Sequence, residues 1–224
     1  MSEQGQRTVF LASRNAKKLQ EMQRILSEHA PTVVVVGLDD VTAYDEPVED
    51  QPTFEGNALL KARAGVAATG LPTLADDSGL CVDALNGMPG VLSARWSGPP
   101  PPGQKDGQKD GQDRRNNELL LAQLADVPDE RRAAHFACCV AFCYPVGEGG
   151  VAEHVVHGEM HGRIIREQRG SGGFGYDVVF VADEHAGEGL TSAELDPVEK
   201  DRISHRGRAL REIAPLVADV LTGL

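Results

Sequence analysis

The chain is short of everything that a membrane, a secretion route or a nucleic acid would demand. No apolar run approaches the about eighteen residues of a membrane-crossing helix, and the start, MSEQGQRTVFLAS, has neither the basic segment nor the long apolar segment of a secretion leader. The expected location is therefore the cytoplasm, with no membrane partner. Basic charge is scarce: 22 Lys and Arg stand against 34 Asp and Glu, a net charge of −12. A sequence-independent grip on nucleic acid depends on many cations neutralising phosphates, so no nucleic-acid partner is expected, and a small anionic ligand would need a local basic pocket. There are four cysteines, Cys81, Cys138, Cys139 and Cys143, without CxxC spacing and in apolar surroundings. This is too sparse for a secreted disulfide scaffold and reads as buried thiols. The absence of any G-x-x-x-x-G-K-[ST] motif counts against a P-loop phosphotransferase.

What is present suits one domain over residues 1–224, with enough apolar content, 41%, to enclose a core. Thr8 to Ala12 reads as a buried strand leading into a helix whose stripe is Leu19, Met22, Ile25 and Leu26. Val33 to Val36 is a second strand, Ala58 to Thr69 a helix, and Pro72 to Ala75 a strand ending in Asp76, Asp77, Ser78 and Gly79. The run Leu80 to Leu85 then reaches an Asn86-Gly87 turn. Residues 97–113, SGPPPPGQKDGQKDGQD, have the composition of a mobile surface loop. A helix from about Asn117 to Ala125 and strands at His135 to Tyr144, Val151 to His157 and Val178 to Val181 follow. Asp196 is placed as an N-cap, with Pro197 at the first helical position and Glu199 at capping-box spacing. Leu210, Ile213, Val217 and Val220 form a last helical stripe that Pro215 is expected to kink or interrupt. This order predicts an α/β fold with a mixed central sheet and helices on both faces.

Four segments carry chemistry. Ser13-Arg14-Asn15-Ala16-Lys17-Lys18 puts three cations where a strand enters a helix, an arrangement opposed by the helix dipole unless an anion is bound. Lysines pointing into water explain it equally well. Asp76 and Asp77 place adjacent carboxylates at a strand end, which suits Mg²⁺ but also suits a plain Asp-rich turn. In strand geometry their side chains leave in opposite directions, one towards a cleft and one anchoring the loop. Gly170 to Asp177 contains G-x-G-x-x-G, but it precedes a strand instead of opening a helix, so the dinucleotide reading fails. What remains is a glycine turn in which Phe174 could stack on a base. In Glu199 to Gly207, Lys200, His205 and Arg206 are donors of the kind needed to read a 6-oxo purine, or else an exposed amphipathic helix. His154, His157 and His161 are metal-like only on paper, since His154 faces away from His157 in an extended strand.

Taken in register, SRNAKK, TFEGNALLKARA, LADDSGLCVDALNGMPGVLSARWSG, GGFGYDVVF and EKDRISHRGRAL make the chain resemble the inosine/xanthosine triphosphate pyrophosphatase family, also called the Ham1 family, from Val9 to about Leu216. The resemblance implies an ITPase/Maf-like homodimer, each protomer having two lobes around a cleft, that hydrolyses ITP, dITP and XTP to the monophosphate and diphosphate with Mg²⁺. It implies that Ser13, Arg14, Asn15, Ala16, Lys17, Lys18 and Lys61 meet the phosphates. Asp77 would take the proton of water and bind the metal, and Ser78 would contact substrate. Phe174, Gly175, Tyr176, Asp177, Lys200, His205 and Arg206 would form the nucleoside pocket. Glu49 stands where the family has its other metal-linked acid, with Asp45, Glu46 and Asp50 as alternatives across a variable stretch. Gly56 departs from the family's usual acid before Asn57. A Maf-like pyrophosphatase for pyrimidine or modified triphosphates and a non-catalytic nucleotide-binding protein are the alternative readings.

Overall fold

Alternation along three strands dictates where the helices go. The computed structural model describes residues 7–14, 16–29, 31–100 and 109–223, with the side chains of 16, 17, 29, 109 and 110 outside the description. Strands β1 (Arg7–Leu11), β2 (Val33–Val36) and β3 (Thr73–Val82) are joined through helices α1 (Ala16–His29) and α2 (Phe54–Thr69). Both β2 and β3 pair with β1 in parallel, Val9 opposite Val35 and Phe10 opposite Thr73. Val9, Leu11 and Leu74 pack on one side with α1; Phe10, Ala12 and Ala75 pack on the other with Ala58, Ala62 and Val66 of α2. Strand β5 (Ala133–Val146) repeats the pattern, Cys138, Val140 and Phe142 against Cys139, Ala141 and Cys143. Strands with both faces apolar are stable only when both faces are covered.

The remaining strands are β4 (Met88–Pro89), β6 (Gly150–Ile164) and β7 (Phe180–Ala182), and the sheet order is β2-β1-β3-β5-β6-β7 with β4 on β3. β4 on β3 and β7 on β6 run antiparallel, which makes the sheet mixed as expected. Helices α3 (Lys109–Gln123), α4 (Pro197–Ile203) and α5 (His205–Gly223) are the remaining α-helices among the described residues. The chain divides into two compact units: one takes the chain up to Asp77, Cys138–Gly158 and the chain from His205, the other Ser78–Ala137 and Glu159–Ser204. In the first unit, Ala209, Leu210, Ile213, Ala214, Val217 and Leu221 of α5 join the α1 side of the core. In the second, Leu80, Leu120, Leu124, Phe136, Met160 and Phe180 form a separate core. There the buried guanidinium of Arg132 donates to the carbonyls of Leu124, Ile164 and Ile165.

Several boundaries differ from the sequence expectation. The Asp76-Asp77-Ser78-Gly79 stretch does not end a strand: β3 continues through it to Val82, because Leu80 and Val82 keep the alternation and find a core. Of the 97–113 segment, Lys109 to Asp113 are helical, and 101–108 lie outside the described residues. Gln112 explains the early start, donating to Ser97 Oγ at 2.8 Å and Asn116 Oδ1 at 3.0 Å. α5 runs past Pro215 without interruption. Proline cannot donate to the carbonyl four residues back, but the buried stripe of Leu210, Ile213, Ala214 and Val217 holds the helix against that loss. Asp196 caps α4 through Val198 N–H at 2.9 Å, as expected, whereas Glu199 turns to His185 and Arg202 instead of closing a capping box.

Gly158 brings β6 against the start of α5: a Cβ there would lie 2.0 Å from the carbonyl oxygen of His205. Gly158→Ala must push that helix start away, and overpacking of this kind costs about 1–3 kcal/mol. Urea denaturation should show the lowered midpoint; an unchanged midpoint would mean that the helix start yields freely.

Candidate active site

The two carboxylates of β3 obey the alternation that governs the apolar residues before them. Asp76 follows Leu74 onto the α1 and α5 side, and Asp77 follows Ala75 onto the α2 side. Asp76 is 1% exposed, and its Oδ2 accepts from Lys18 Nζ at 2.7 Å and Arg206 Nε at 3.1 Å. Arg206 also donates to Glu21 at 2.9 Å, so one chain of charges links α1, β3 and α5. Burial alone would raise the pKa of Asp76, but Lys18, Arg206 and Lys61 hold it far below the usual carboxylate range. Against the same burial penalty, Asp76 and Glu21 keep Arg206 charged.

On the other side, Asp77 Oδ2 accepts from Asn57 Nδ2 at 2.9 Å, and Lys61 Nζ lies 3.9 Å from its Oδ1. Lys61 donates to Glu49 Oε1 and to the carbonyl of Asp76, each at 2.6 Å. Burial opposes the charge on Lys61, yet Asp76, Asp77 and Glu49 together raise its pKa. Asp77 behaves differently: desolvation prevails over Lys61 and Asn57, and its pKa is raised. The two neighbours thus answer burial in opposite ways, the pKa of Asp76 lowered by its cations and that of Asp77 raised by desolvation.

α2 supplies Asn57 and Lys61 one turn apart, which places both over Asp77. Thr53 caps the helix by accepting from Gly56 N–H at 3.0 Å. The departure at Gly56 has a steric reason, since a Cβ there would sit 2.8 Å from Gln51 Cβ, and Gln51 N–H in turn bonds Asn57 Oδ1 at 3.0 Å. Among the alternatives to Glu49, Glu46 pairs with Arg14, and Asp50 accepts from Gln51 Nε2. Ser13 is half-buried directly after β1. Asn15 and the side chains of Ala16 and Lys17 lie outside the described residues.

The second unit holds the glycine loop. Asp177 Oδ2 accepts from Phe174 N–H at 2.8 Å and pairs with Lys200, whose Nζ lies 5.3 Å from the centre of the Phe174 ring. Gly173 must lack a side chain, because a Cβ would lie 2.1 Å from Asp177 Oδ2. Buried Tyr176 donates its hydroxyl to Ser93 O at 2.9 Å. Ser78 is half-buried within β3. The expected nucleoside residues therefore divide: Phe174 to Asp177 and Lys200 meet in this unit, while His205 and Arg206 open α5 in the first. Asn57 and Glu21 join the charged network without a role in the sequence expectation, and Asp76 joins it from the adjacent-carboxylate segment, where the sequence assigns it no specific role; Asn57, inside TFEGN, and Asp76 carry a visible signal. Of the histidines set aside, His157 contacts Glu55 at 3.4 Å, and His154 stacks on Tyr144.

A parallel strand-helix-strand edge that gathers ammonium groups and carboxylates around its strand ends defines an α/β protein suited to a multiply charged small ligand. A model of the Ham1 family matches residues 9–216. The dITP/XTP pyrophosphatase of Nocardia farcinica is 57% identical over 211 residues, 94% of this chain and 94% of that protein. The crystal structure of a nucleoside-triphosphatase, dITP/XTP pyrophosphatase, from Mycobacterium abscessus shares 51% identity and a TM-score of 0.69, covering 93% of this chain and 99% of that one. The Ham1 protein of Staphylococcus aureus, 31% identical, gives a TM-score of 0.77 with coverage of 95% and 99%. The chain belongs to the Ham1 family.

Removing the charge of Asp76 leaves Lys18 and Arg206 buried without their shared anion. Asp76→Asn is expected to lose about 3–5 kcal/mol of stability at neutral pH, read by chemical denaturation. Because the native pKa of Asp76 lies below its unfolded value of about 3.9, its stabilisation is complete above that pH. It declines as the pH falls towards the native value. A denaturation midpoint in Asp76→Asn equal to that of the wild type would show that the network contributes nothing.

Proposed function

We propose that this chain is a magnesium-dependent pyrophosphatase that hydrolyses ITP, dITP and XTP to the nucleoside monophosphate and diphosphate, clearing them from the nucleotide pool. The observation that carries the reading is Asp77, buried beside Lys61, oriented by Asn57 and raised in pKa, in a chain of the Ham1 family. The names of the Nocardia and Mycobacterium relatives support the substrate class.

In this reading Asp77 orients a water and takes its proton as the oxygen attacks the α-phosphorus in line. The bond from that phosphorus to the bridging oxygen breaks, and diphosphate leaves. Lys61 and the Ser13 to Lys18 segment offset phosphate charge, with Lys18 and Arg206 held by Asp76. Phosphoryl-type displacement depends mainly on such positioning and electrostatics. Asp77 and Glu49 would hold the magnesium, which supplies charge neutralisation on the triphosphate. The donor set fits, since Mg²⁺ is usually bound through one or two carboxylates together with substrate phosphates and water.

Ser78, the Phe174 to Asp177 loop, Lys200 and His205 serve the substrate and its nucleoside. Donors aimed at a 6-oxo group would be left unpaired by adenine, which gives strong discrimination. The reading also includes a cytoplasmic homodimer, which light scattering on the purified protein checks for its oligomeric part.

Diphosphate release across purine and pyrimidine triphosphates, with and without Mg²⁺, is the direct test. Turnover of ITP and XTP only with metal is expected, and preference for dTTP or UTP would favour a Maf-like activity instead. Asp77→Asn should lower the rate by about 10²- to 10⁴-fold while the protein stays folded by circular dichroism. Undiminished turnover would remove Asp77 from the chemistry.

A further inference from the structure

Helix α3 grips the loop that carries Phe174 at a single residue. Asp113 Oδ2 accepts from Gly175 N–H at 2.7 Å, and Asn117 Nδ2 donates to the Gly175 carbonyl at 2.8 Å. The two gripping residues are four apart on α3, so they share one face of the helix. Asn117 also donates to the Asp113 carbonyl at 2.8 Å and is 1% exposed. Gly175 needs this grip to hold an otherwise adaptable conformation, since its φ is +62°. A third tie runs through Asn116, whose Nδ2 donates to Ser93 O at 3.2 Å, the same carbonyl that accepts the Tyr176 hydroxyl. Within the loop, the Asp177 carboxylate holds Phe174 N–H and Lys200, and the Asp177 carbonyl accepts from Ala193 N–H at 3.2 Å. The grip on Gly175 comes from α3.

We infer that Asp113 and Asn117 are positioning residues that set the Phe174 to Asp177 loop for the nucleoside, and so help determine substrate affinity. The inference rests on the reading that this loop meets the purine. Neither residue needs to touch substrate; each acts through the backbone of Gly175. Asp113 is the stronger of the two, because a hydrogen bond to an ionised acceptor exceeds a neutral one. It is also the last residue of the Pro- and GQKD-rich segment, which gives that stretch a defined end on the loop.

The test compares Asp113→Ala and Asp113→Asn with the wild type, using ITP and XTP with Mg²⁺ and amide hydrogen exchange of residues 174–176. Loss of a charged hydrogen bond predicts a KM about tenfold higher for Asp113→Ala. Its kcat should stay within about twofold, because an interaction common to ground and transition states moves KM alone. Exchange at the loop should quicken while exchange in β6 and β7 does not. Asp113→Asn retains an acceptor oxygen and should keep KM within about threefold of the wild type. An unchanged KM in folded Asp113→Ala, or an equal impairment in Asp113→Asn, would overturn the inference. A wild-type enzyme that leaves ITP and XTP intact would overturn the functional reading, while the exchange comparison would still decide whether α3 holds the loop.

Discussion

Two carboxylates in succession on a strand must leave on opposite faces, and the first unit is arranged around that constraint. Both faces of β3 are covered by helices, so neither Asp76 nor Asp77 can rely on bulk water. A buried carboxylate must then be paired or give up its charge. Asp76 takes the first course, with Lys18 from α1 and Arg206 from α5 meeting at one oxygen. Asp77 shares Lys61 with Glu49 and is held in orientation by the neutral Asn57, while burial raises its pKa.

The same division assigns the cations. In a chain with a net charge of −12, three cations, Lys18, Lys61 and Arg206, converge on these acids. Arg206 ties the start of α5 to the strand and, through Glu21, to α1. Close approach of backbones makes this geometry accessible. At Gly65 a Cβ would lie 2.5 Å from Thr73 Cγ2, so α2 can sit low enough on the strands for Lys61 to reach the carbonyl of Asp76. Packing and electrostatics in this unit are therefore coupled through glycine.

In the second unit, hydrogen bonds to backbone order the loop together with the burial of Tyr176 in the core. Asp177 and Lys200 stabilise the glycine turn from within, and α3 holds it from without. A glycine-rich turn has a large conformational entropy to lose, and paired polar anchors offset that loss. This is why Asp113, in a stretch whose composition suggests only mobility, ends in an ordered helix.

The short-range patterns were legible in the residues themselves. Val33 to Val36 reads as a strand and is one; the stripe of Met22, Ile25 and Leu26 reads as a buried helix face and is one. Strand alternation also gave the opposed directions of Asp76 and Asp77, and the ordered motifs gave the family. What sequence periodicity could not decide was the partner of each charged group. Arg206 stands 130 residues from Asp76, and Asp113 stands 62 from Gly175. Nor could it foresee that burial of Leu80 and Val82 would carry β3 through an Asp-Asp-Ser-Gly turn signal, or that the α5 stripe would outweigh Pro215. Periodicity is a property of neighbours along the chain and follows from backbone geometry alone. The state of a buried charge depends on groups that only the folded chain brings within a few ångströms.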